Sequence, residues 1–534
     1  MGSQVVKMGQ WGGMNRRKLP IGIQTFAKIR ENQAYYYVDK TEFALELITR
    51  GSHYFLSRPR RFGKSLFLDT LAELFQGNEP LFRGLYCHDR WDWSVTHPVL
   101  RLNLGQGLVQ SAAELKQLLG EQIHRYQSEF GVSSHTERLS GQFQELIEQA
   151  HARHGQRVVV LVDEYDKPIL DHLGEPDLAR ELRNLLRDLY AVLKGSDAHL
   201  QFVFLTGVSK FSKVSLFSGL NNLKDITVDQ RYSALCGYTE ADLDRVFGPE
   251  LGDLDRQQIR AWYNGYNWTG EAVYNPFDLL LLFDSRQFKP YWFETGTPSF
   301  LIEVLTRRGF FIPQLQQTFA SEALLSTFDV EKIEPEALLW QTGYLTFSGT
   351  NRQAGGRLQY GLSYPNLEVQ MALNDHLLKA FLQDERAAEQ AESRLWELLR
   401  TNHWAGLEQH FRALFASIPY HWHTQNALAH FEGYYASVFY SHFAALGLDL
   451  KPEEVTNRGR IDLTLRFQGQ VYLFEFKIAE RFPQESALQQ IKTRGYVEKF
   501  TASGVTVHCI GIRFSEQTRN VVEWQQESFL GRQA

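Results

Sequence analysis

Two groups of residues in this sequence have types and spacings suited to chemistry, and both point to phosphate. The first is Ser57-Arg58-Pro59-Arg60-Arg61-Phe62-Gly63-Lys64-Ser65, between an apolar run from Tyr54 and a helical stretch ending at Phe75. A nucleoside triphosphate needs backbone N–H groups wrapped around its phosphates, a helix N-terminus facing them, a reaching lysine and a hydroxyl for Mg²⁺. Arg61, Phe62, Gly63, Lys64, Ser65 and Leu66 would form that cradle, with Lys64 as the amine and Ser65 as the hydroxyl. The usual pattern is G-x-x-x-x-G-K-[ST], and here Arg58 stands where the first glycine belongs. A strand–turn–helix with a solvated lysine has the same sequence signature, so the loop alone decides little.

The balance shifts at Arg157-Val-Val-Val-Leu-Val-Asp-Glu-Tyr-Asp-Lys-Pro. An unbroken Val/Leu run marks a strand buried on both faces, as in a parallel sheet under helices. It ends in Asp163 and Glu164. Asp163 would hold Mg²⁺ through water or the Ser65 hydroxyl, and Glu164 would polarise the attacking water. A surface turn with two solvated acids is the plainer alternative. The strand Gln201–Thr206 ends in a hydroxyl, with Ser209 just beyond. Thr206 would either contact the terminal phosphate or satisfy a neighbouring loop.

The second group lies near the C-terminus. Asp462, Glu475 and Lys477 form D-x12-E-x-K across a hairpin turning at Gln468-Gly469. Strand geometry puts Glu475 and Lys477 on one face, with Phe474 and Phe476 on the other. Phosphodiester hydrolysis needs a hard cation, and Mg²⁺ takes oxygen ligands, usually one or two carboxylates with waters and phosphate. Asp462, Glu475 and the carbonyl of Phe476 would supply them, with Mn²⁺ as an alternative ion. Lys477 would orient the water or stabilise developing charge. Glu432, on a preceding helix, would bind the metal or a metal-bound water. Gln490, Arg458 and Arg460 would meet the nucleic-acid backbone, with Arg466, Arg481, Lys492 and Arg494 adding basic character. The competing readings are a solvated basic face, a cross-strand ion pair, and a nuclease-like fold that only binds.

Several elements must position these groups. Strands near 53–57, 99–104, 158–162 and 201–206, separated by helices, predict a doubly wound parallel sheet with its ligand at the carboxyl ends. Aromatics in Trp262-Tyr-Asn-Gly-Tyr-Asn-Trp and around Asn275-Pro-Phe are expected to be core rather than ligand stack. Histidines 403, 410, 421, 423 and 430 lack zinc spacing and are expected to be surface or core residues.

Ser57-Arg-Pro-Arg-Arg-Phe-Gly-Lys-Ser, Val162-Asp-Glu-Tyr-Asp-Lys-Pro, Thr206-Gly-Val-Ser-Lys-Phe-Ser and Trp262-Tyr-Asn-Gly-Tyr resemble the prokaryotic AAA-ATPase-like family. That family carries a C-terminal PD-(D/E)XK nuclease domain, which D-x12-E-x-K also resembles. Its members share the loop arginine, so by that comparison Arg58 is no defect. The resemblance implies a P-loop (ASCE/AAA-like) parallel sheet with a helical lid and a C-terminal PD-(D/E)XK-type α/β domain. It divides the chain into a flexible tail (1–18), an ATPase core (19–230), a lid with a winged-helix-like element (231–380), a helical linker (381–424) and a nuclease domain (425–534). It implies ATP and Mg²⁺ as cofactors and nucleic acid, DNA ahead of RNA, as partner. A homo-oligomer is also implied, and a defence setting follows by association only. Arg60, Arg61 and Arg231 are candidates for an arginine finger by charge alone.

Bulk properties bound these readings. The chain has 534 residues with 43% hydrophobic and 22% charged content, ordinary for globular domains. A net charge of −6 confines any nucleic-acid surface to a local patch. Cys87, Cys236 and Cys509 are scattered, which suits a reducing cytoplasm. No apolar run approaches the roughly 20 residues of a membrane helix.

Overall fold

Val158, Val159, Val160, Leu161 and Val162 are all fully buried, and the N-terminal half is assembled around them. The computed structural model describes residues 16–210, 222–292, 299–307, 310–326, 334–352, 358–419, 432–501 and 505–530. Most of the expected tail, and the histidines at 421, 423 and 430, lie outside these residues.

Five parallel strands form the first sheet: β1 (His53–Ser57), β2 (Val99–Asn103), β3 (Val158–Asp163), β4 (Leu200–Gly207) and β5 (Lys224–Asp225). Their order is β2-β3-β4-β1-β5. β4 therefore lies between the phosphate-loop strand and the acidic strand. The register pairs Ser57 with Gly207 and Asn103 with Asp163, so loop, acids and the β4 end share one sheet edge. That is where an open parallel sheet binds its ligand. Helices Lys64–Phe75, Ala112–Phe130, Leu139–His154 and Pro176–Gly195 pack around the sheet and each other.

Beyond the sheet, short helices Glu240–Val246, Arg256–Tyr263 and Pro276–Ser285 share an aromatic core of Phe247, Tyr263, Tyr274 and Phe283. Tyr36 and Val38 belong to the same cluster, so the N-terminal segment is packed onto these helices. Tyr263, Tyr266, Trp268 and Tyr274 are core, as expected, while Phe277 is half-buried and lines a cavity. A three-stranded antiparallel sheet follows, β6 (Thr318–Ser321), β7 (Thr346–Arg352) and β8 (Leu358–Ser363), with β8 central.

One expectation gives way here. The stretch 381–424, read as a solvated linker, is helical over Glu385–Arg400 and Trp404–Ala416 but well packed. Ala388, Leu395, Leu398 and Leu399 are buried. The Phe411 ring stacks on Phe439 at 4.0 Å, and Asn520 donates to the Arg412 carbonyl. These helices form part of the C-terminal unit. Charged residues crowd the first of them, seven of sixteen over Glu385–Arg400, and its burying stripe is narrow and easily missed.

The C-terminal sheet contains β9 (Asp449–Thr456), β10 (Gly459–Phe467), β11 (Gln470–Ile478), β12 (Thr506–Ser515) and β13 (Asn520–Leu530), in the order β13-β12-β11-β10-β9. Gln468 and Gly469 both have positive φ, the two-residue turn of a tight hairpin. β11 and β12 are parallel, joined by a crossover containing the helix Ala487–Thr493. On the other face, Phe439 of the helix Glu432–Ala444 packs against Phe474 and Phe476.

Candidate functional site

The phosphate loop ends in Gly63, which caps the following helix in a left-handed conformation with no side-chain cap. The first N–H groups of the helix are thus left to a ligand. Lys64 is buried, and its ammonium donates to the carbonyls of Arg58 (3.0 Å) and Pro59 (2.9 Å). Burial pulls its pKa down, and Asp163 is the largest opposing influence. Arg58 is fully buried beneath the loop. Its guanidinium donates to the carbonyls of Ser57, Thr227 and Tyr232 at 2.8–3.1 Å and lies 4.0 Å from the Trp268 ring centroid. Burial lowers its pKa to about 10. The arginine that replaces the usual glycine therefore staples the loop to its surroundings.

Asp163 accepts from the Thr206 hydroxyl at 2.8 Å and from the Glu164 N–H at 3.1 Å. Thr206 is fully buried, so its hydroxyl orients Asp163 from behind. Glu164 has φ +52°, a left-handed backbone that costs a side-chain-bearing residue about 1–3 kcal/mol. Burial raises its carboxyl pKa, and Lys64 opposes the rise. Gly105 makes room for it, since a Cβ there would collide with the Glu164 carboxylate. Asp166, also buried, accepts from Val208 N (3.0 Å), Ser209 N (2.5 Å) and the Ser209 hydroxyl (2.6 Å), tying the acidic turn to the end of β4.

A cavity of about 380 Å³ opens over these groups, within the range of small-molecule sites. Arg60, Gly63, Lys64, Ser65 and Glu164 give it polar lining, and Pro20, Ile23, Leu66, Tyr238, Phe277 and Leu280 apolar lining. The Arg61 guanidinium stacks 4.8 Å from the Phe277 ring centroid. The polar lining suits a polyphosphate and the apolar lining a base. Carboxylate and hydroxyl oxygens at Asp163 and Ser65 are the donor type that Mg²⁺ takes.

The second site lies on β10 and β11. Leu463 pairs with Phe474, so extending the register by one sets Asp462 opposite Glu475, on the same face. Asp462 accepts from the Phe476 N–H at 2.7 Å. Glu475 is buried and accepts from the Gln490 side chain, on the crossover helix. Burial raises the Tyr496 pKa, and the charges of both Glu475 and Asp462 add to the rise, so both carboxylates face one tyrosine. The Lys477 ammonium lies 5.2 Å from the Phe482 ring centroid. Gly511, paired with Glu475, allows this approach, because a Cβ there would strike the backbone of Ala487 and Leu488. Two carboxylates and a neighbouring carbonyl are a donor set for a hard cation. Among the described residues no group of three His, Cys, Asp or Glu side chains gathers as metal ligands. Glu432 opens its helix at the edge of the described residues, and its side chain lies outside them.

Residues 20–217 match the family model described as "Predicted AAA-ATPase", and residues 430–524 that of the PD-(D/E)XK nuclease superfamily. The "Uncharacterized protein in vnfD 5'region" of Azotobacter chroococcum mcd 1 is 60% identical over 515 residues, covering 96% of this chain and 100% of that protein. The chain belongs to the AAA-ATPase-like family with a C-terminal PD-(D/E)XK nuclease domain. These two families generally use a nucleotide and a divalent metal. In this family member no helix among the described residues is long and apolar enough to cross a membrane.

The structure brings Gly63, Lys64, Ser65, Asp163 and Glu164 to one sheet edge, and Asp462, Glu475, Lys477 and Gln490 to one sheet face. Other candidates have structural partners. Arg231 is bound to Asp229, with contacts at 2.5 and 2.9 Å, outside the cavity lining. Arg458 and Arg460 are exposed at the β9–β10 turn beside Glu498 and Glu453. Arg466, Arg481 and Lys492 pair with Glu454, Glu516 and Glu527. The basic character of this chain's C-terminal unit is thus largely compensated. His410 contacts His442 at 2.7 Å, N to N. Sequence reasoning missed Pro20, Ile23, Gly105, Asp166, Tyr238 and Phe277, none of which carries a spacing signal for its partner.

Proposed function

We propose that this protein binds and hydrolyses ATP with Mg²⁺ at the phosphate-loop site and cuts nucleic acid, with DNA ahead of RNA as the expected substrate, at the C-terminal site. The supporting observation is a shared arrangement. Each site joins two acids and a lysine, at the carboxyl end of a buried parallel sheet in one case and on one sheet face in the other. At the first site Lys64 would leave the loop carbonyls for the terminal phosphates. Asp163 and Ser65 would hold the ion, and Glu164 would take the proton of the attacking water. At the second, Asp462, Glu475 and the Phe476 carbonyl would hold Mg²⁺ or Mn²⁺, and Lys477 would steady the charge developing on phosphate. When bound, the ion screens phosphate charge and acidifies water. Nucleotide state would gate cutting, with cytoplasmic location and self-association part of the same reading.

A second reading is a nucleotide-switched binding module with an inactive nuclease fold. It draws support from the partners that Asp462 and Glu475 already have. A cleavage panel on defined DNA and RNA, with and without ATP, separates the two. The parent should cut with Mg²⁺ or Mn²⁺, Lys477→Ala should not, and Lys64→Ala should lose the ATP response. Retention of nucleic acid without cleavage, unchanged by Glu475→Ala, would leave only the binding module.

A further inference from the structure

We propose that Arg60 is the arginine finger of the ATPase site, supplied by the loop of the same chain, so that one copy is complete for hydrolysis. The inference rests on the ATP reading above and names a catalytic residue within it. Among the described residues, four cationic residues line the cavity: Arg60, Arg61, Lys64 and Lys167. Three of them are occupied. Lys64 is held by two loop carbonyls, Lys167 is paired with Asp171, and Arg61 lies over Phe277. Arg60 is exposed into the cavity from the middle of the loop, with no ion pair among the described residues.

The backbone that launches Arg60 is anchored: its carbonyl accepts from the Trp292 indole N–H at 3.2 Å, and the Trp292 N–H donates to the buried Glu368 at 2.8 Å. Arg60 lines the same cavity as Lys64, Ser65 and Glu164, where the terminal phosphate and its water would meet Glu164.

During hydrolysis the water oxygen bonds to the γ-phosphorus as the bond to the β–γ bridging oxygen breaks. The bonding pair leaves on ADP, and the proton of water passes to Glu164. Negative charge gathers on the γ-phosphoryl and bridging oxygens, and a planar guanidinium can bond two of them at once. Arginine fingers act in this way and are supplied in cis in some nucleotide hydrolases. Arg231, the other candidate on the described surface, is committed to Asp229.

The test measures steady-state ATP turnover for the full-length parent, Arg60→Ala, Glu164→Gln and Lys64→Ala. Arg60→Ala should lower kcat about 10²–10³-fold with KM for ATP within about fivefold, a loss confined to the transition state. Millimolar guanidinium should restore part of the Arg60→Ala rate and none of the Lys64→Ala rate. Mixing Arg60→Ala with Glu164→Gln should leave both inactive, and parent turnover per molecule should not change on dilution. Recovery in the mixture, or an Arg60→Ala rate within about threefold of the parent, overturns the assignment while leaving the ATP reading intact. A parent without turnover overturns both.

Discussion

The two candidate sites use the same residue chemistry in opposite settings. At the front, Lys64 and Glu164 face a walled cavity of about 380 Å³, and Glu164 is held there in a left-handed backbone conformation. At the back, Asp462, Glu475 and Lys477 lie on a sheet face, where the two acids have Phe476 N and Gln490 as partners. On the proposed reading the difference follows from what each would hold. A nucleotide has a fixed size and gains from enclosure, which can offset the backbone strain at Glu164. A polymer has no fixed length, and at the back Glu475 is buried beneath the crossover helix with Gln490 as its partner.

The largest expected effect breaks the comparison at the back alone. Glu475→Gln keeps volume but removes a charge that the ion needs, and it should lower cleavage by about 10³-fold or more. ATP turnover should stay within about twofold, because β11 lies in a separate sheet from the loop. A Glu475→Gln protein that cuts like the parent, measured on the same DNA, would remove the carboxylate pair from the chemistry.

Acid should also separate the two halves. Burial of His410 lowers its pKa from 6.5 to about 4, with Arg394 pushing the same way, and His442 is lowered too. Both imidazoles are thus neutral when folded, one donating to the other. The unfolded chain binds their protons first, so this contribution is complete above about pH 6.5 and is lost as pH falls toward 4. For His410 the loss reaches about 3 kcal/mol. Melting curves from pH 7 to 4.5 should show the C-terminal transition moving down, and replacing both histidines with leucine should flatten that slope. An unchanged acid slope in the double variant would assign the effect elsewhere.

Much of this contrast is legible in the sequence, and the remainder has a common physical cause. Val158–Val162 announces a doubly buried strand, Gly63-Lys64-Ser65 a helix start, and Gln468-Gly469 a turn that fixes the register of Asp462 against Glu475. Each of these is local. What the residues could not reveal is which distant groups fill the space between elements. Gly105 lies below Glu164, Gly511 beside Leu488, and the Trp292 indole on the Arg60 carbonyl. Periodicity encodes the face a residue presents but not its partner there. The same limit explains the misread helices at 385–416, whose apolar stripe is evident only once β13 and Phe439 are beside it.

The two glycines test how each site tolerates crowding. At Gly105 an added methyl meets the mobile end of Glu164, so Gly105→Ala should misplace the carboxylate and lower ATP turnover about 10²-fold with little change in melting temperature. At Gly511 the methyl meets backbone, which cannot swing aside. Gly511→Ala should cost about 1–3 kcal/mol of stability and weaken cleavage with it. Circular-dichroism melts beside the two activity assays distinguish these outcomes. A Gly105→Ala protein with normal turnover would mean that Glu164 works from another position.

The smallest effect concerns the apolar lining of the front cavity. Phe277 stands at the start of the helix Pro276–Ser285, where Asn275 caps its N–H at 3.0 Å, so its ring is aimed by a fixed helix end. One face of the ring is covered by the Arg61 guanidinium. A base entering between Phe277 and Ile23 would exchange water for apolar contact on both sides. Phe277→Ala should therefore raise KM for ATP about three- to tenfold, the worth of one aromatic contact, and leave kcat near the parent value. Inorganic triphosphate has no base to lose that contact, so its competition against ATP hydrolysis should strengthen in the variant, in proportion to the rise in KM. If Phe277→Ala instead lowers kcat and spares KM, the helix acts on the phosphates, and the assignment of the apolar lining to the base is wrong.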